Sequence, residues 1–159
     1  MKTMKKLLFV FALMLVSTSA FSQTVDNIFN EFKDKPGAQV INLSKSLLSM
    51  FTSSNMDEKN KKLLENIDSM QILHIEDNKK TCKEFIKKAE KMNTDGYETM
   101  ANVKEEDETT RILTRSNGDT INDVIILHIE NDECTLLQIS GKISPDDIDN
   151  IVKLQDIGE

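Results

Sequence analysis

The chain has 159 residues, 38% hydrophobic and 30% charged, with 5 Gly, 2 Pro, 2 Cys and no Trp, the make-up of one ordinary globular domain. These proportions exclude a disulfide-dense scaffold, a collagen-like or low-complexity chain and a multi-span membrane protein, but they select no chemistry. The formal charge of −7, from 20 basic and 27 acidic groups, disfavours nucleic acid, whose phosphates need clustered Lys and Arg to release counterions.

Lys2, Lys5 and Lys6 precede the apolar run Leu7 to Val16, and small residues follow up to Ala20-Phe21-Ser22. This order reads as a secretory signal peptide over residues 1–22, cleaved after Ser22. The run is about half the roughly twenty apolar residues a membrane span needs. No Cys lies near the cleavage point, so a lipoprotein anchor has no candidate, and the expected product is periplasmic or secreted. Loss of three leader lysines leaves residues 23–159 at a formal charge of −10. An anionic membrane surface is disfavoured for the same reason. Only Phe29, Phe32, Phe51, Phe85 and Tyr97 remain as aromatics, too few to stack a single-stranded nucleic acid.

From Gln23 the elements alternate. Val25, Ile28, Phe29 and Phe32 follow helical spacing, and the run stops at Lys35-Pro36-Gly37. Gln39 to Leu43 reads as a strand, Ser44 caps a helix through Phe51, and Asn55 or Asp57 opens another carrying Leu63 and Leu64. Met70 to Glu76 is the next strand. Asn78 to Met92 is a helix with Cys82, Phe85, Ile86, Ala89 and Met92 inward and six lysines on its other faces. Those lysines, interspersed with Glu84 and Glu90, read as a solvated face in preference to a patch for an anionic partner.

The second half reads as strands: Tyr97 to Val103, Thr109 to Arg115, Ile121 to Ile129 and Cys134 to Ser140. Asn117-Gly118 is expected at the centre of a type I′ turn, and Asn131-Asp132 serves the following one. Short loops make successive strands antiparallel neighbours, a meander. Ser144-Pro145-Asp146-Asp147 starts a last helix with Ile148, Ile151 and Val152 inward. The expected fold is a single α+β domain over residues 23–159, a mixed, mainly antiparallel sheet of five or six strands with helices packed on one face.

One local repeat stands out: Ile72-Leu73-His74-Ile75-Glu76 and Ile126-Leu127-His128-Ile129-Glu130. It contains both histidines. Residues two apart on a strand share a face, so His74 projects with Glu76 and His128 with Glu130, while Leu73, Ile75, Leu127 and Ile129 pack inward. On adjacent strands these four side chains would suit zinc or another divalent transition metal. The competing reading is a plain strand pattern, because apolar alternation is first a strand signature.

Cys82 and Cys134 leave one disulfide open in an exported chain, the alternative being two buried free thiols. The acidic run Glu105-Glu106-Asp107-Glu108 lacks a calcium-loop pattern: with Gly96 as the loop glycine, Lys91 and Asn102 fall where acids are required. There is no G-x-S-x-G elbow, phosphate-cradling loop, dinucleotide fingerprint or C-x-x-C. A thiol–imidazole pair from either Cys with either His would have no third group to orient it. No catalytic residue and no cofactor are assigned.

The leader ending before Gln23, the helix with Phe29 and Phe32, the segment Val40-Ile41-Asn42-Leu43-Ser44-Lys45-Ser46-Leu47-Leu48-Ser49-Met50, Ile126-Leu127 and Leu137-Gln138-Ile139-Ser140-Gly141-Lys142-Ile143 together resemble a family. It is a family of small exported Bacteroidetes proteins, domain of unknown function 4252. The resemblance implies export and an α+β domain, supplies no catalytic residue or ligand, and links the family to envelope-stress or regulatory operons. Asp68-Ser69-Met70 and Asp119-Thr120-Ile121 also resemble the acceptor of Bacteroidetes protein O-glycosylation. The resulting expectation is a non-enzymatic interaction module with a protein partner in the cell envelope, the alternatives being a divalent metal-binding protein or a small hydrolase.

Overall fold

A computed structural model describes residues 23–52 and 56–155; the expected leader, residues 1–22, lies outside the described residues. Thr24 caps α1 (Val25–Phe32) by accepting the Asn27 N–H. After Gly37, β1 (Ala38–Ser44) leads into α2 (Lys45–Phe51), capped by Ser44, and α3 (Glu58–Asn66), capped by Asp57. Then come β2 (Ile67–Ile75), α4 (Lys79–Glu90) and the four strands β3 (Glu98–Lys104), β4 (Glu108–Asn117), β5 (Thr120–Glu130) and β6 (Glu133–Ile143). The order ends with α5 (Pro145–Gln155).

The six strands form one sheet in the order β1-β2-β6-β5-β4-β3. Every pairing between them is antiparallel, so the parallel component allowed by a mixed sheet does not occur. The meander of β3 to β6 is as expected from its short loops. α4 carries the chain from β2 across the sheet to β3 at the far edge, so the meander runs back and its last strand, β6, pairs with β2, while β1 forms the outer edge.

Helices cover both faces, not one. On the first face α1 and α4 bury Ile28, Phe32, Cys82 and Phe85 against Leu73, Ile75, Ile125, Leu127, Cys134 and Leu136. On the second, α2, α3 and α5 place Leu48, Leu63, Ile148 and Ile151 over Ile67, Val124, Ile126, Leu137 and Ile139. The reason is the unbroken apolar run Val124 to Leu127 in a central strand: alternate side chains point to opposite faces, so both faces need cover. The two helix layers are offset along the strands. Each therefore leaves one end of its face open.

Phe32 and Phe85, both fully buried, meet edge-to-face at 5.6 Å between centroids, which joins the two helices of the first layer. Burial of one such side chain stabilises by about 2–3 kcal/mol. β2 begins three residues before Met70, because α3 runs directly into it and Gly141 of β6 admits its backbone. A Cβ on Gly141 would lie 2.2 Å from the Asn66 carbonyl oxygen. The β4–β5 hairpin turns on Gly118-Asp119, with Asn117 paired to Thr120 and positive φ at Gly118 alone. That is the pattern of a type II′ turn, one residue later than the expected type I′. Asn131, at φ 50°, serves the next hairpin as expected.

Candidate functional site

The two repeated segments are not adjacent, because β6 lies between β2 and β5. They are nevertheless in register. His74 and His128 both pair with Thr135, from opposite sides, and the row extends through Gln39 on β1 and Thr110 on β4. Directly paired residues share a face, so both imidazoles stand on the second face, flanking one small side chain. Leu73, Ile75, Leu127 and Ile129 pack toward the first core, as the alternation requires. The histidine row lies where the second helix layer stops, and the side chains are 34% and 32% exposed.

The sequence echo is also a structural one. His74 Nδ1 lies 3.0 Å from the Thr135 hydroxyl and its Nε2 3.5 Å from a Glu76 oxygen. His128 Nδ1 lies 2.9 Å from the Thr110 hydroxyl and its Nε2 3.7 Å from a Glu130 oxygen. Glu108 approaches His128 Nδ1 at 3.8 Å, and Glu133 is paired with Glu130 in the next row. All four residues expected at a metal site are thus on one face, as two half-sites of two donors each. Among the described residues no group of three or more His, Cys, Asp or Glu side chains converges as placed.

Cys82 and Cys134 form a disulfide between α4 and β6, with Cα atoms 6.0 Å apart. It is buried in the first core, on the face opposite the histidines, so a thiol–imidazole pair does not assemble. The α4 lysines are partly engaged: Lys79 with Asp132 at 3.1 Å and Lys88 with Glu31 at 3.3 Å. Lys35 meets Glu84 at 2.7 Å, which lowers the Glu84 pKa through the hydrogen bond and then through charge. Of the two segments resembling glycosylation acceptors, Thr120 is exposed beside its hairpin, whereas Ser69 is half-buried within β2.

A second constellation had not been expected. Asp123 of β5, 2% exposed, faces the open end of the first face. It accepts hydrogen bonds from the Tyr97 hydroxyl, Arg115 at 3.0 Å, Ser140 at 3.1 Å and Gln138 at 3.3 Å. Arg115 also lies 4.9 Å over the Tyr97 ring. With four donors on one carboxylate, its lone pairs are engaged in joining β4, β5, β6 and the segment before β3. The available signal was a charge inside the apolar strand Ile121 to Ile129.

Burial, the hydrogen bond to Asp123 and that carboxylate's charge hold the Tyr97 phenol well above its ordinary 10.0, against a smaller pull from Arg115. A folded-state pKa above the unfolded one gives stability that is whole below pH 10 and is lost as pH rises beyond it. Tyr97→Phe is therefore expected to cost about 1 kcal/mol at neutral pH and to flatten the alkaline fall in stability. Denaturant melts from neutral pH to roughly pH 11 check it; an alkaline limb as steep as wild type would contradict the assignment.

Among the described residues no helix is long and apolar enough to cross a membrane. No curated protein and no solved structure matches the chain. Residues 32–151, a span that holds all six strands, match the model of the family described as Domain of unknown function (DUF4252), and the chain belongs to that family.

Proposed function

We propose that the protein is an exported, non-enzymatic interaction module of the cell envelope that engages a protein partner through the β1 edge. The contrast between the two sheet edges carries this reading. β3, at one edge, has Glu98 and Lys104 at its ends and a register shift between Thr99 and Ala101, devices that discourage further strand pairing. β1, at the other, is Ala-Gln-Val-Ile-Asn-Leu-Ser: no charge, no proline and an unbroken register with β2. Its outward backbone N–H and C=O groups suit addition of an extended segment.

Apolar side chains adjoin that edge. Ile41 is 49% exposed on the second face, and Leu47 of α2, on the same side, is 45% exposed. Export is supported by the leader pattern and by the buried disulfide, a bond that persists in oxidising compartments.

Site-specific photocrosslinking in exporting cells tests the reading. A photoreactive residue at 41 is expected to give a discrete protein adduct and one at 103, exposed on the β3 edge, none. Ile41→Lys is expected to abolish the complex while changing stability by no more than about 1 kcal/mol, since the site is half-exposed. Equal adducts from both edges, or none from β1, would reject it.

A further inference from the structure

Resting on the reading of β1 as the docking edge, we infer that the partner there is a second copy of this chain, paired antiparallel about a two-fold axis at Ile41 so that the two sheets become one. The backbone decides which groups are on offer. The Glu76 N–H donates to the Gly37 carbonyl at 3.1 Å, so in the β1–β2 ladder Gly37, Gln39, Ile41 and Leu43 turn their peptide groups toward β2. Val40, Asn42 and Ser44 turn theirs outward, together with the Ala38 carbonyl; the Ala38 N–H is donated to the Lys35 carbonyl. An axis through Ile41 brings these groups into register: Val40 exchanges both bonds with Asn42 of the second copy, and the Ser44 N–H reaches that copy's Ala38 carbonyl.

The second reason is charge. Residues 23–159 carry a formal charge of −10, so two copies repel each other over most of their surfaces. β1 has no charged side chain, and pairing it with itself sets no charge against its like. Ile41, 49% exposed, lies on the axis and is covered by its own counterpart.

The third is shape. The first helix layer packs over β1 at Ala38 and Val40 and the second at Leu43, whereas Asn42 and Ser44 on the first face and Gln39 on the second are exposed. An antiparallel copy sets its covered ends beside these bare ones, its α1 next to Asn42 and Ser44 and its α2 next to Gln39. A parallel copy would set helix against helix. The offset of the two layers is thus complementary to itself under the two-fold axis. One short strand pair lies at the small end of specific interfaces, so association in the micromolar range is expected.

The test is sedimentation equilibrium of residues 23–159 across the micromolar range, followed by cysteine cross-linking. A monomer–dimer equilibrium is expected, weakened about a hundredfold or more by Ile41→Lys, which sets two ammonium groups face to face on the axis, and unchanged by Val103→Lys at the other edge. Cys82 and Cys134 are bonded to each other, so an introduced thiol reacts alone. Oxidised Ile41→Cys should form a reducible covalent dimer, because a non-hydrogen-bonded antiparallel pair stands about 4.5 Å apart at Cα. Gln39→Cys should form none by itself and one when mixed with Leu43→Cys, the position opposite it. A chain that stays monomeric, a dimer unmoved by Ile41→Lys, or self-cross-linking of Gln39→Cys would overturn the inference. If the chain stays monomeric while photocrosslinking at 41 captures a different protein, the β1 edge stands as the docking surface with another occupant; no adduct at all removes both.

Discussion

Asp123→Ala is expected to destabilise the domain by about 2–4 kcal/mol, because among the described residues Asp123 is the buried charged side chain. The carboxylate is 2% exposed and takes four side-chain donors from two strands, β4 and β6, and the segment before β3. Its removal leaves the partly buried Tyr97, Gln138 and Ser140 without their shared acceptor. Arg115, half-exposed, rehydrates, which keeps the cost below that of a fully buried ion pair. Asp123→Asn keeps the volume but turns one acceptor oxygen into a donor among donors, so it should recover little of the loss. Urea unfolding reads this as a lower midpoint at unchanged slope. A loss under about 0.5 kcal/mol for both variants would show that the carboxylate is not the hub.

The Cys82→Ala, Cys134→Ala double variant is expected to lose about 4 kcal/mol, the loop-closure entropy of a 52-residue separation. In a domain of this size that lowers Tm by roughly 10–15 °C. The bond ties α4 to the start of β6 inside the first core, so its loss also loosens the helix that carries Phe85. Reductant should produce a similar shift in wild type and none in the variant. A wild-type Tm that does not respond to reductant under unfolding conditions would contradict a closed bridge.

The repeat Leu-His-Ile-Glu shows how far one pattern carries. Alternation correctly sent Leu73, Ile75, Leu127 and Ile129 inward and both His-x-Glu pairs to the other face. Adjacency was not a local property: β6 comes to lie beside β2 because α4 takes the chain to β3 at the far edge and the meander runs back from there. The insertion of β6 separates the two histidines and, through Thr135, also aligns them.

Local chemistry wrote most of the element map. Ser44 and Asp57 stop strand or loop and start helix by accepting backbone N–H groups three residues on, and the short hairpin loops make β3 to β6 a meander. Those signals act over a few residues, so they are present in the order of amino acids alone. Strand order, the second helix layer, the Asp123 hub and the Cys82–Cys134 bridge depend on residues dozens of positions apart meeting in space. The run Val124 to Leu127 needs cover on both faces, but which helices supply it is decided by the packing of the whole domain, where apolar area is removed from water cooperatively.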